Sequence, residues 1–228
     1  MPERIVTKAV DFKVNGNSCN GYLAHPDGDG KYPVVVVIQE WWGLDNHIKD
    51  ITERLARLGF AAIAPDLYHG QVTAEPDEAR KLAMALEYET ASKEIDAAAD
   101  WLLAQDVSSG SKFGCIGFCM GGGLVLTTAI RNARIGAAVV YYGGLPNPPE
   151  NLKGIQSPVL GFFGEDESER ATQLEQIISS SDKPVEVHIY EGASHGFYND
   201  SNPRGFNLTA SYDAWPRTVR FLSDNLSC

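Results

Sequence analysis

The sequence predicts an α/β protein built on a mostly parallel, doubly wound sheet with helices on both faces. Three observations carry this. Short apolar, β-branched runs alternate with helical patterns along the whole chain. The run Val34-Val35-Val36-Val37-Ile38 is continuously apolar, as expected of a central strand covered on both sides. The segment Ile116-Gly117-Phe118-Cys119-Met120-Gly121 closes an apolar run with Gly-x-Cys-x-Gly, and a helix-compatible run from Leu124 to Ile130 follows.

Taken in order, Val6 to Val14 and Cys19 to Ala24 read as an opening hairpin turning at Asn15-Gly16-Asn17. Val34 to Ile38 is the central strand. Asp45 can cap a helix running to Leu58, which Gly59 stops. Phe60 to Ala64 is the next strand, ended by Pro65. Two helical patterns occupy Asp77 to Ala104, and Phe113 to Ile116 is the strand before Cys119. Ala137 to Tyr142, Val159 to Phe163 and Val185 to Tyr190 give three more strands, and a helix around Tyr212 to Leu222 closes the chain. No repeat or low-complexity linker interrupts this, so residues 1–228 read as one domain.

Composition narrows the function. With 43% hydrophobic and 21% charged residues the chain is an ordinary globular protein. A formal net charge of −11 argues against nucleic acid and anionic membrane surfaces as partners. No stretch approaches the roughly 18 apolar residues of a membrane span, and the start does not read as a signal peptide. Cys19, Cys115, Cys119 and Cys228 show neither zinc spacing nor a disulfide framework, which points to a reducing cytoplasm. Cys115 is expected to be a small buried hydrophobe. His25, His47 and His188 have no partner at metal-ligand spacing, so no metal is expected. A small-molecule substrate is the expected partner, for a monomer or weak homodimer.

Gly-x-Cys-x-Gly between strand and helix is a nucleophile elbow with cysteine in place of serine. The nucleophile sits on a strained turn, and the residues two on either side must be small for strand and helix to approach. The helix start aims N–H groups and the positive end of its dipole at the sulfur. Downstream strand ends carry Gly164-Glu165-Asp166-Glu167 and Gly192-Ala193-Ser194-His195-Gly196-Phe197. The order nucleophile, acid, histidine is that of the α/β-hydrolase fold. A triad of Cys119, His195 and Asp166 follows, with Glu165 and Glu167 as alternative acids. Gln39-Glu40-Trp41-Trp42-Gly43 follows the central strand, where this architecture supplies one oxyanion N–H; the Trp41 and Met120 amides are the candidates. Glu40 is unusual for a carboxylate at the end of a buried strand. Trp41, Trp42, Tyr68, His69 and Tyr142 are candidates to line the pocket.

On Gln39-Glu40-Trp41-Trp42-Gly43, Ala64-Pro65-Asp66-Leu67-Tyr68, Gly117-Phe118-Cys119-Met120-Gly121-Gly122, Gly164-Glu165-Asp166, Ser194-His195-Gly196-Phe197 and Ala214-Trp215, the chain resembles the dienelactone hydrolase (carboxymethylenebutenolidase) family. The resemblance implies a cofactor-free lactone or ester hydrolase working through a thioester, with Cys119, His195 and Asp166 as triad. It also implies that Glu40 touches the resting thiol and takes its proton when substrate binds. The family pattern places substrate-holding arginines where this chain has His69 and Asn199. That predicts a less anionic substrate than dienelactone, with Tyr68, His69, Phe197 and Arg204 as substrate-binding candidates. Two other classes compete. A thiol amidase of the glutamine amidotransferase type would carry His-x-Glu, but Phe197 stands two residues after His195. A hydrolase-fold binding protein would have no use for a filled triad. A peptidase would need room for a large lid or propeller.

Overall fold

The computed structural model describes residues 4–226. Its eight-stranded sheet has the order β1-β2-β4-β3-β5-β6-β7-β8. The hairpin β1 (Ile5–Val14) and β2 (Asn17–Pro26) is antiparallel, and β2 joins β4 (Ala61–Pro65) antiparallel at one end. From there β4, β3 (Tyr32–Ile38), β5 (Ser108–Phe118), β6 (Ile135–Tyr141), β7 (Val159–Gly164) and β8 (Val185–Tyr190) run parallel. The hairpin turns at Asn15 and Gly16, both at positive φ (49° and 88°), the left-handed pair that a two-residue connection between twisted strands requires.

Strand alternation splits the interior into two cores. Val34, Val36 and Ile38 face one, with Ile95 and Leu102 of α3 (Tyr88–Leu103), Leu124 of α4 (Met120–Arg131) and Leu174 and Ile178 of α5 (Ser168–Ser179). Val35 and Val37 face the other, with Ile48, Ile51 and Leu55 of α1 (Asn46–Arg57) and Ala214 and Leu222 of α6 (Leu208–Leu226). A strand buried on both faces needs an unbroken apolar run, and that is what β3 has. The cap on α1 is as expected: the Asp45 side chain accepts from the Ile48 N–H at 3.0 Å, and Gly59 follows at φ 93°. The helical stretch from 77 to 104 resolves into α2 (Pro76–Ala85) and α3. Helix α5 was not anticipated, although Ala171, Leu174 and Ile178 recur at helical spacing on its buried face. Cys115 is fully buried in β5; Cys228 lies outside the described residues. Among the described residues no helix is long and apolar enough to cross a membrane.

Candidate active site

Strand β5 delivers Cys119 and helix α4 begins at the next residue. Cys119 has φ 54° and ψ −116°, a strained conformation held by its own N–H donating to the Tyr141 carbonyl at 3.0 Å and by the Gly122 N–H donating to its carbonyl at 3.0 Å. The flanking glycines are steric necessities. A Cβ on Gly117 would overlap the Gly121 carbonyl, and one on Gly121 would stand 2.5 Å from the Ile38 and Gln39 oxygens. Small residues at these two places let the elbow helix lie against the loop after β3.

The Cys119 thiol sits 3.1 Å from His195 Nε2. The other ring nitrogen, Nδ1, is 2.9 Å from Glu167 Oε1. This corrects the expected acid: Glu167, rather than Asp166, holds the ring. The reason is the short 3-10 turn Glu165–Glu167 that follows β7. Three residues per turn bring Glu167 back under Gly164, whose N–H donates to Oε2 at 3.3 Å. The two preceding acids point at the histidine loop instead. Asp166 Oδ2 accepts from the His195 backbone N–H at 3.4 Å, and Glu165 Oε2 from the Gly192 N–H at 2.8 Å. Arg170 donates to Glu167 Oε1 at 2.7 Å. Glu167 is therefore a buried carboxylate that is fully partnered, as burial of a charge demands.

Burial disfavours the His195 imidazolium, but hydrogen bonds to the Cys119 sulfur and then to Glu167 outweigh it. Together they push the ring up from 6.5 to about 10. The arrangement favours a protonated imidazole held between the Cys119 sulfur and the Glu167 carboxylate.

Glu40 lies two residues beyond β3 as a buried side chain. Its Oε2 accepts from Asn199 Nδ2 at 2.6 Å and its Oε1 from the Tyr142 hydroxyl at 3.1 Å. Burial raises its carboxyl above the usual range, against the pull of His47, Asn199 and Tyr142. The Cys119 sulfur pairs with His195, while the hydrogen bonds of Glu40 run to Asn199 and Tyr142. Asn199 stands where an arginine was expected and meets the carboxylate with a neutral amide. Tyr142, at φ 41°, also lays its ring edge-on to His195 at 5.0 Å between centroids.

Trp41 follows Glu40 directly and packs against Trp42 at 4.8 Å. Met120 occupies the first turn of α4, where N–H groups have no acceptor within the helix. Tyr68 is buried, and its hydroxyl donates to Met120 Sδ at 3.3 Å. Tyr88, the first residue of α3, was not among the expected residues. Its hydroxyl lies 3.8 Å from where a Gly123 Cβ would stand, and burial plus the charge of Cys119 raise its ionisation. A lone Tyr at a helix start gives no sequence signal of this.

Three other candidates are placed as follows. Phe197 is completely buried, edge-on to Tyr142 and Tyr190, because the turn after His195 drives it into the core beneath the site. His69 points its Nε2 at Glu94 Oε1, 3.4 Å away. Arg204 is exposed on the loop 201–205 and has no hydrogen bond or ion pair among the described residues.

Residues 19–226 match the dienelactone hydrolase family. The protein usf of Aquifex pyrophilus is 34% identical, over 96% of this chain and 98% of that protein. A Synechocystis protein named "putative carboxymethylenebutenolidase" is 33% identical, over 90% and 92%. The crystal structure of a dienelactone hydrolase-like promiscuous phosphotriesterase from metagenomic libraries superposes with a TM-score of 0.87 at 27% identity, covering 98% of this chain and 99% of that one.

Proposed function

The chain belongs to the dienelactone hydrolase family and is a carboxylic ester hydrolase, and on that premise we propose that Cys119, His195 and Glu167 cleave a lactone or ester through a thioester. The observation that carries this reading is the continuous line from Cys119 Sγ to His195 Nε2 (3.1 Å) and from His195 Nδ1 to Glu167 (2.9 Å). The thiolate attacks the carbonyl carbon, and the Trp41 and Met120 N–H groups receive the oxyanion. Collapse forms the thioester, and His195 Nε2 gives its proton to the departing alkoxide. His195 then takes a proton from water, the hydroxide adds to the thioester, and the carboxylic acid leaves with the thiolate regenerated. Glu167 keeps Nδ1 protonated and offsets the imidazolium charge; Asp166 and Glu165 fix the loop that carries the ring. No cofactor enters these steps.

The favoured substrate is a neutral ester or lactone. What supports this is the fate of the two positions where the family pattern has arginines: Asn199 is spent on Glu40, and His69 is turned to Glu94. A reducing cytoplasm suits this thiol chemistry, since Cys19, Cys115 and Cys119 are all free. The test is hydrolysis of dienelactone and of a neutral p-nitrophenyl ester by the wild type and Cys119→Ala. The expected result is a loss of about 10⁴-fold or more on both with the variant, and a wild-type preference for the neutral ester. Unchanged hydrolysis by Cys119→Ala would refute the nucleophile; a preference for dienelactone would refute the substrate assignment.

A further inference from the structure

Outside the catalytic site, three potential ligand atoms converge near the hairpin end of the sheet. Cys19 Sγ comes from β2, His69 from the loop after β4, and Glu94 from the second turn of α3. One atom from each lies within 4.8 Å of the others. The fold brings them together. The β2–β4 ladder reaches Gly21 and Pro65, and the Asp66 N–H continues it to the Asn20 carbonyl at 2.9 Å, which lays the following loop beside Cys19. Asp66 then accepts from the Tyr68 and Gly70 N–H groups at 3.2 and 2.6 Å and fixes the turn that holds His69 at φ 52°. Cys19 and Glu94 are buried and His69 is exposed. A cavity of about 410 Å³ opens onto all three.

We propose that Cys19 Sγ, His69 Nε2 and one Glu94 oxygen form a three-ligand site for a borderline-soft divalent cation, zinc or cobalt(II), with a water as fourth ligand in the cavity. The ligand set is chemically selective: thiolate and imidazole favour such ions over calcium or magnesium. Its charge is balanced, because one thiolate and one carboxylate offset two positive charges while the imidazole stays neutral. The spacing is close to what is needed. Zinc–ligand bonds of about 2.0–2.3 Å place tetrahedral ligands roughly 3.3–3.8 Å apart. His69 Nε2 and Glu94 Oε1 are already 3.4 Å apart, so the remaining closure falls to the exposed imidazole and the thiol. Lys93, on the cavity wall, is occupied by Glu89 at 3.1 Å and does not repel an incoming cation at full strength. Binding exchanges the thiol proton for the metal, and that proton goes to the buffer. The bound ion would clamp β2, the β4 loop and α3 together behind Tyr68.

The experiment is a cobalt(II) titration of the full chain in the Cys119→Ala background, where the catalytic thiol cannot ligate. The expected result is a thiolate-to-cobalt charge-transfer band that saturates at one ion per chain and is bleached by zinc. Adding His69→Ala, which changes an exposed side chain and leaves the fold intact, should weaken binding at least tenfold. Adding Cys19→Ser should abolish the band while d–d absorption survives weakly. Absence of a band in the Cys119→Ala background, or a band that survives both added substitutions, overturns the site.

Discussion

The charge on His195 is decided by its two neighbours. Its ring is half-exposed, yet the sulfur and the Glu167 carboxylate hold its proton to about pH 10. Because the folded value lies above the unfolded value of 6.5, the stability from this group is complete below about pH 6.5. It is lost progressively as pH rises towards 10. NMR titration of the His195 ring should show a midpoint near 10 in the wild type, moving downwards in Cys119→Ala; an unmoved midpoint would contradict the thiolate pairing. The acid can be assigned in the same way. Glu167→Gln is expected to cut kcat by roughly 10³-fold, because Nδ1 loses its carboxylate. Asp166→Asn still accepts the His195 backbone N–H and should cost less than tenfold. The reverse ranking would restore Asp166 as the catalytic acid. Three acids in a row left this choice open in the sequence. Only the three-residue turn after β7 decides which carboxylate faces the ring.

Elements meet most tightly where the elbow helix crosses the loop after β3. Gly121→Ala would push a methyl group against two backbone oxygens that cannot rotate away. A loss of about 1–3 kcal/mol or more is expected, with a fall in kcat as the Trp41 amide is displaced. Gly144→Ala meets nothing within 4 Å and should change stability by less than about 0.5 kcal/mol in the same thermal-unfolding comparison. The need for small residues two places either side of Cys119 was readable from the sequence, as were the Asp45 cap and the Val34–Ile38 strand. Each rests on a local rule with a strong steric or hydrophobic cause. The Glu40 partners were less legible. Asn199 lies 159 positions from Glu40, and the partnership depends on how two loops at neighbouring strand ends face each other. Tyr88 was missed for the same reason. The direction of Phe197 was not legible either, because the turn at Gly196 sets which way its ring points.

At the scale of the whole molecule, a net charge of −11 surrounds the site. Long-range repulsion should slow the approach of anionic esters, and salt should relieve it, since the screening length falls to about 8 Å at 0.15 M. The kcat/KM for an anionic ester is expected to rise severalfold between low and physiological ionic strength, while that for a neutral ester stays flat. Equal salt responses would mean that a local cation dominates. The parallel body of the sheet and the two-sided core followed from alternating patterns. The Cys19, His69 and Glu94 cluster could not, because its members lie 50 and 25 residues apart and carry no motif spacing.

One consequence concerns synthesis. The imidazole that meets Cys119, its base in the proposed mechanism, and the amide that holds Glu40 both lie between residues 195 and 199, beyond the strand β8. A chain emerging from the ribosome completes the elbow with its cysteine well before it reaches that strand. Until then the thiol lacks its proton acceptor and behaves as an ordinary, weakly reactive cysteine. On the proposed mechanism, hydrolysis therefore waits until the final strand has joined the sheet, and a chain cut before residue 195 is expected to be inactive.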